Sequence, residues 1–203
     1  MPQQSGPNVM AASKDADAPL EGTAREGWNA VISVYQDGFR RAIRELRKLG
    51  PVERSPYHNV LVMTARDPAD LLETIERRCE ADPALCDAIS RVAPAMRTFE
   101  FHSAAEFLAE ARKAVIGWLP ELAGRSFHIR LHRRGLKHDL NSADAERELG
   151  GILIDALKAA GTPGSLSFSD PDAVIAIDTL GERAGVGLWT RQDLARHRLL
   201  RPD

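Results

Sequence analysis

The sequence predicts an α+β fold arranged as two successive units, and three observations predict it. Segments with the 3.6-residue apolar period of an amphipathic helix alternate with short β-branched runs. Helix starts carry capping residues, and helix ends carry glycine or proline. Finally, residues 1–26 are small, polar and interrupted by Pro and Gly, which reads as a disordered tail ahead of the folded chain.

Order is expected to begin at Trp28, where "WNAVISV" has the composition of a strand. In "GFRRAIRELRKLG", Phe39, Ala42, Ile43, Leu46 and Leu49 fall at helical spacing, and Gly50-Pro51 stops the helix. "VERSPYHNVLVMTARD" reads as two extended segments around a turn near Ser55-Pro56. Asp67-Pro68-Ala69-Asp70 then supplies a cap acceptor, a proline at the first helical position and an acid at the third, opening a helix through Leu71, Leu72, Ile75 and Cys79. "APAMRTFEF" is read as the closing strand. This β-α-β-β-α-β order is that of a ferredoxin-like unit, assigned to residues 27–101.

The second unit, residues 102–203, opens on the capping box Ser103-Ala104-Ala105-Glu106. Its helix runs through Phe107, Leu108, Ala111, Val115, Trp118 and Leu119, with Pro120 and Gly124 expected to end it. A strand, "RSFHIRLHRRG", follows, and then a helix capped by Asn141 or Ser142 with Leu149, Ile152, Leu153, Ala156, Leu157 and Ala160 along one stripe. "SLSF", "AVIAID" and "VGLWT" read as strands, the last two paired across "TLGERAG", and "RQDLARHRLL" as a short terminal helix.

Composition narrows the function. The chain has 203 residues and a formal net charge of −2, so any nucleic-acid surface must be a local patch. Cys79 and Cys86 are the only cysteines, and Asp82-Pro83 between them interrupts their helix; they are expected to be reduced and packed, in a cytoplasmic protein. No stretch has the length of a membrane span or the apolar core of a signal peptide. No Gly-rich phosphate loop, nucleophile elbow or paired metal-binding histidines occur in their required contexts, so no cofactor, metal or catalytic residue is assigned.

The segment with chemical character is 125–138, which holds five Lys/Arg and three His. Phe127, Ile129 and Leu131 alternate with His128, Arg130 and His132, so one strand face packs and the other carries positive charge into Arg133, Arg134, Lys137 and His138. A metal site on His128 and His132 is disfavoured by Arg130 between them. Asp170-Pro171-Asp172 reads as a turn before a strand, and Asp178 as a partner for arginines across the sheet. A second basic stretch, Arg191, Arg196, His197, Arg198 and Arg201, reinforces the first if the terminal helix lies beside it.

"FHIRLHRRG", "NSADAERELGGILIDAL", "SLSFSDPDAVIAID" and "GVGLW", in this order and spacing, resemble the THUMP domain over roughly residues 103–200, with the preceding unit similar to its usual ferredoxin-like companion. The resemblance implies a mixed sheet with flanking helices and binding of RNA, above all tRNA, in the service of tRNA modification. It points to the stand-alone type that acts as a non-catalytic adaptor, presenting tRNA to a separate modifying enzyme such as an RNA cytidine acetyltransferase, because a catalytic domain is not expected within these residues. The RNA-binding residues it implies are Arg130, Arg133, Arg134 and Lys137 for phosphates, His132, His138 and Asn141 as hydrogen-bonding neighbours, and Arg198 from the terminal stretch. The alternatives are a protein-interaction scaffold without RNA binding, and a small enzyme acting on RNA through His128, His132 or Asp172.

Overall fold

The computed structural model describes residues 27–136 and 140–201; the tail, Lys137 and His138 lie outside the described residues. The first unit comprises β1 (Ala30–Val34), α1 (Phe39–Leu46), β2 (Val52–Arg54), β3 (Val60–Met63), α2 (Pro68–Ala81), α3 (Pro83–Ala88) and β4 (Ile89–Pro94). Its sheet has the order β2-β3-β1-β4 with every neighbouring pair antiparallel. The register places Leu61, Ile32 and Val92 side by side on one face, which closes over Ala42, Ile43 and Leu46 of α1 and Leu72 and Ile75 of α2. Asp67 caps α2, accepting from the Ala69 N–H at 2.9 Å. The Asp82-Pro83 pair splits the following helix in two, leaving Cys79 buried and Cys86 half-buried, both as free thiols.

The strand expected to close this unit, "APAMRTFEF", divides between the two sheets. β4 ends at Pro94, and Arg97–Glu100 forms β5, an edge strand of the second sheet. The crossing is visible in consecutive amides: Ala95 N–H donates to Asn29 of the first unit (2.8 Å), whereas Met96 N–H donates to Val186 of the second (3.0 Å). Phe99 and Phe101, on alternate residues, then pack with Phe107 at centroid separations of 5.9 and 5.2 Å. The passage between sheets therefore precedes the 101/102 boundary expected from the sequence.

The second unit adds α4 (Ala104–Ile116), α5 (Leu119–Leu122), β6 (Ser126–Arg134), α6 (Ser142–Ala159), β7 (Ser165–Leu166), β8 (Ala173–Leu180), β9 (Arg183–Thr190) and α7 (Arg191–Arg196). Its sheet runs β5-β9-β8-β6-β7; β6 is parallel to β7 and β8, and the remaining pairs are antiparallel, so the sheet is mixed and the fold is α+β. Phe127, Ile129, Leu131, Ile175, Ile177 and Val186 face Phe107, Ala111, Leu149 and Leu153 of α4 and α6. Ser103 caps α4, but the expected capping box is only half made, because Glu106 accepts from the His102 N–H at 2.7 Å instead of from Ser103; nor does Pro120 end that helix, since α4 stops at Gly117 and Pro120 sits in the first turn of α5, where its missing N–H costs nothing. "TLGERAG" is mostly strand, because Leu180 pairs with Arg183 and leaves a two-residue turn with Gly181 at φ +61°.

The two units pack face to face. Trp28, Val31, Val60, Val62 and Ala93, on the outer face of the first sheet, form one cluster with Leu180 of β8. Glycines on β9 permit this approach: a Cβ at Gly185 would lie 2.8 Å from the Trp28 ring, and one at Gly187 2.9 Å from the Pro94 carbonyl. After α7 the chain returns to the first unit, where Leu199 and Leu200 are buried and the Leu199 carbonyl accepts from the Val92 N–H at 2.9 Å.

Candidate nucleic-acid interface

The alternation expected for residues 125–134 is present, and the structure shows what each face of β6 meets. Phe127, Ile129 and Leu131 are buried against α4 and α6. His128, Arg130, His132 and Arg134 share the other face, spaced by about 7 Å per pair of residues. That face is only partly open. His128 is buried beneath the ring of Phe168, while Arg130, His132, Arg133 and Arg134 are half-buried.

Arg134 is committed to the joint between the units. Its guanidinium donates to Asp178 Oδ1 at 3.1 Å and to Ser33 Oγ of β1 at 3.3 Å. Asp178 also receives a bidentate pair from Arg91 of β4, at 2.7 and 2.8 Å, and is fully enclosed. Burial alone would raise the Asp178 carboxyl, but Arg91, His132 and Arg134 together outweigh it and hold the group below the usual carboxylate range. Asp178 does answer arginines across the sheet, as its sequence position implied. The principal one, Arg91, comes from the first unit.

Arg133 turns the other way and shapes the loop: its Nη1 donates to the Gly135 carbonyl at 2.9 Å, ahead of two residues in the left-handed region, Gly135 and Leu136. Asn141 is the N-cap of α6, its Oδ1 accepting from Ala143 and Asp144 N–H at 2.9 and 3.3 Å. That oxygen is therefore engaged within the protein. Asn141→Ala is expected to lower stability by about 1 kcal/mol in a urea titration, and a tRNA affinity unchanged by it would assign Asn141 to the helix alone. Glu146, in the "ERELG" start of α6, accepts from the Leu131 N–H at 2.7 Å, satisfying β6 where β7 no longer pairs with it.

The second basic stretch docks on the first unit. Arg196 and His197 meet Glu73 and Glu76 of α2 at 3.0 and 2.8 Å, and Arg198 donates to Cys86 Sγ on α3. Asp172 is engaged at the foot of β6, its Oδ2 accepting from Ser126 N–H and Oγ–H at 2.9 and 2.8 Å, which lowers its pKa; Arg191 pairs with both Asp170 and Asp172. Lys137 and His138 lie outside the described residues. Three participants escaped the sequence reading: Arg91, Ser33 and Phe168. Of these only Phe168 left a local trace, as an aromatic beside the Ser-Asp-Pro-Asp turn.

No family model matches the chain. Among curated proteins it is similar to the tRNA sulfurtransferase of Shewanella pealeana, 24% identical over 145 residues that make up 71% of this chain and 27% of that protein. The tRNA sulfurtransferase of Escherichia coli is 32% identical over 71 residues, 35% of this chain and 14% of its own. The chain thus spans 27% of the length of the first of these relatives. Among solved structures, TrmN from Thermus thermophilus superposes with a TM-score of 0.54 at 20% identity, over 79% of this chain and 44% of its own. A 4-thiouridine synthetase solved with RNA and ATP superposes with a TM-score of 0.51 at 15% identity, over 81% and 42%. The two solved structures share the fold of this chain. Among the described residues no helix is long and apolar enough to cross a membrane.

Proposed function

We propose that this chain is a non-catalytic, cytoplasmic accessory protein that binds tRNA and presents it to a separate modifying enzyme, with an RNA cytidine acetyltransferase as the candidate partner. The observation that carries the tRNA reading is the likeness, over 71% of the chain, to proteins named for a tRNA substrate. The geometry supplies a means. Arg130 and His132 stand along one face of β6, Arg133 sits at its end, and Lys137 and His138 follow in the sequence. Guanidinium and ammonium groups in that order neutralise successive phosphates and release their counterions, a contact that reads shape and backbone rather than base edges. Arg134 supports this surface from within the joint.

The test is binding of the purified protein to total tRNA across a salt series, beside a DNA duplex of matched length. Saturable binding that prefers tRNA, with a log–log salt slope of about −3 to −4 as about five phosphate contacts would give, is the expected result. Absence of binding at low salt overturns the RNA reading and favours the scaffold. Equal affinity for the DNA duplex overturns its specificity.

A further inference from the structure

We infer that Phe168, seated on His128, is a stacking platform for one unpaired nucleobase of the bound RNA, at the N-terminal end of the basic row; the inference rests on the RNA-binding reading above. Phe168 is 77% exposed, whereas Phe101, Phe107 and Phe127 are buried and Phe39 and Phe99 pack against the cores. A phenylalanine has no polar tip with which to benefit from water. Its exposed ring is also not a loose end. β7 stops after Leu166, and the next amide, Ser167 N–H, donates to the Phe127 carbonyl at 3.0 Å, which ties the backbone before Phe168 to β6. The ring then meets the His128 imidazole at a centroid distance of 4.9 Å and an angle of 69°. This edge-to-face contact orients the ring while most of its surface stays open.

The surroundings select the ligand. His128 lies on the face that continues to Arg130 and His132, about 7 and 13 Å further along the strand, so a nucleotide whose base covers Phe168 has the Arg130 guanidinium and the His132 imidazole along the path of its neighbouring phosphates. Arg191, paired with Asp170 and Asp172 at 3.2 Å each, offsets one of the two carboxylate charges beyond the ring, and Asp172 is turned toward Ser126. A flat π-face beside phosphate-binding cations suits a nucleobase, and stacking tolerates any base because each presents such a face.

The probe is an RNA hairpin with a short single-stranded extension carrying 2-aminopurine, compared with the same hairpin made blunt, against the full chain and its F168A and F168W variants. F168A is expected to bind the extended hairpin about tenfold to a hundredfold more weakly, to bind the blunt hairpin as the parent does, and to lose the quenching of 2-aminopurine emission. F168W is expected to restore both affinity and quenching. Equal affinity of F168A and the parent for the extended hairpin overturns the platform while leaving RNA binding intact, as does an equal loss on both hairpins. If the parent binds neither hairpin nor tRNA, the RNA-binding reading falls and the platform falls with it.

Discussion

Asp178→Ala is expected to lower folding stability by about 3–5 kcal/mol, the usual result of removing one member of a buried ion network. The cost arises from what remains. Arg91 and Arg134 would face each other across the joint without the carboxylate that both now contact, and among the described residues Arg91 would keep only its bond to the Arg201 carbonyl. Because Arg91 belongs to the first sheet and Asp178 to the second, the loss should fall on the docking of the units. Urea unfolding followed by tryptophan fluorescence should therefore show a lower midpoint and a broader transition in the variant. The pH dependence follows with a defined sign. The folded-state pKa of Asp178 is depressed, so its contribution is complete above the unfolded carboxyl range, near about pH 4, and is lost as pH falls through the folded value. Acidification below about pH 4 should erode the stability of the parent more steeply than that of Asp178→Ala. Parallel acid profiles would show that the joint does not depend on this charge.

What could be read from the sequence divides according to how local its cause is. The caps at Asp67, Ser103 and Asn141, the Asp82-Pro83 break and most of the apolar stripes of α1 and α6 depend on neighbours within one or two turns and are where the pattern puts them, although α1 ends before Leu49 and Ala160 lies exposed just past α6. The division of "APAMRTFEF" between two sheets depends on pairing Arg97 with Val186, and nothing near Arg97 encodes that choice. The same distance hides Arg91, whose partner Asp178 stands 87 residues later. For β6, two-residue alternation identifies which residues share a face but is silent about what covers that face. Hence His128 and Arg134, equivalent in the pattern to Arg130 and His132, turn out to support a ring and a domain joint. Phe168 was obscured for a related reason. "SLSF" has the alternation of a strand with its apolar residues turned inward, yet the pairing ends after two residues and the ring swings across to His128.

That distinction decides which arginines can test RNA binding. Reversing Arg133 and Arg134 together is the natural experiment from the sequence, but a glutamate at 134 would set a carboxylate against Asp178 and damage the joint. Arg130→Glu/Arg133→Glu leaves Arg134, Arg91 and Asp178 in place. The Arg133 change removes one bond to the Gly135 carbonyl, a stability loss of about 1 kcal/mol that an unfolding midpoint can verify. Against tRNA, the double variant should lose about two phosphate contacts and gain repulsion at both. The log–log salt slope should become shallower by about 2, and the affinity at low salt should fall about a hundredfold. The slope is the decisive readout, because a merely unfolded fraction lowers the concentration of competent protein without changing how many counterions each binding event releases. A folded double variant with the parent's slope would move the RNA contacts off β6, whereas a shallower slope with no more than that small drop in unfolding midpoint would assign them to β6 and its C-terminal end.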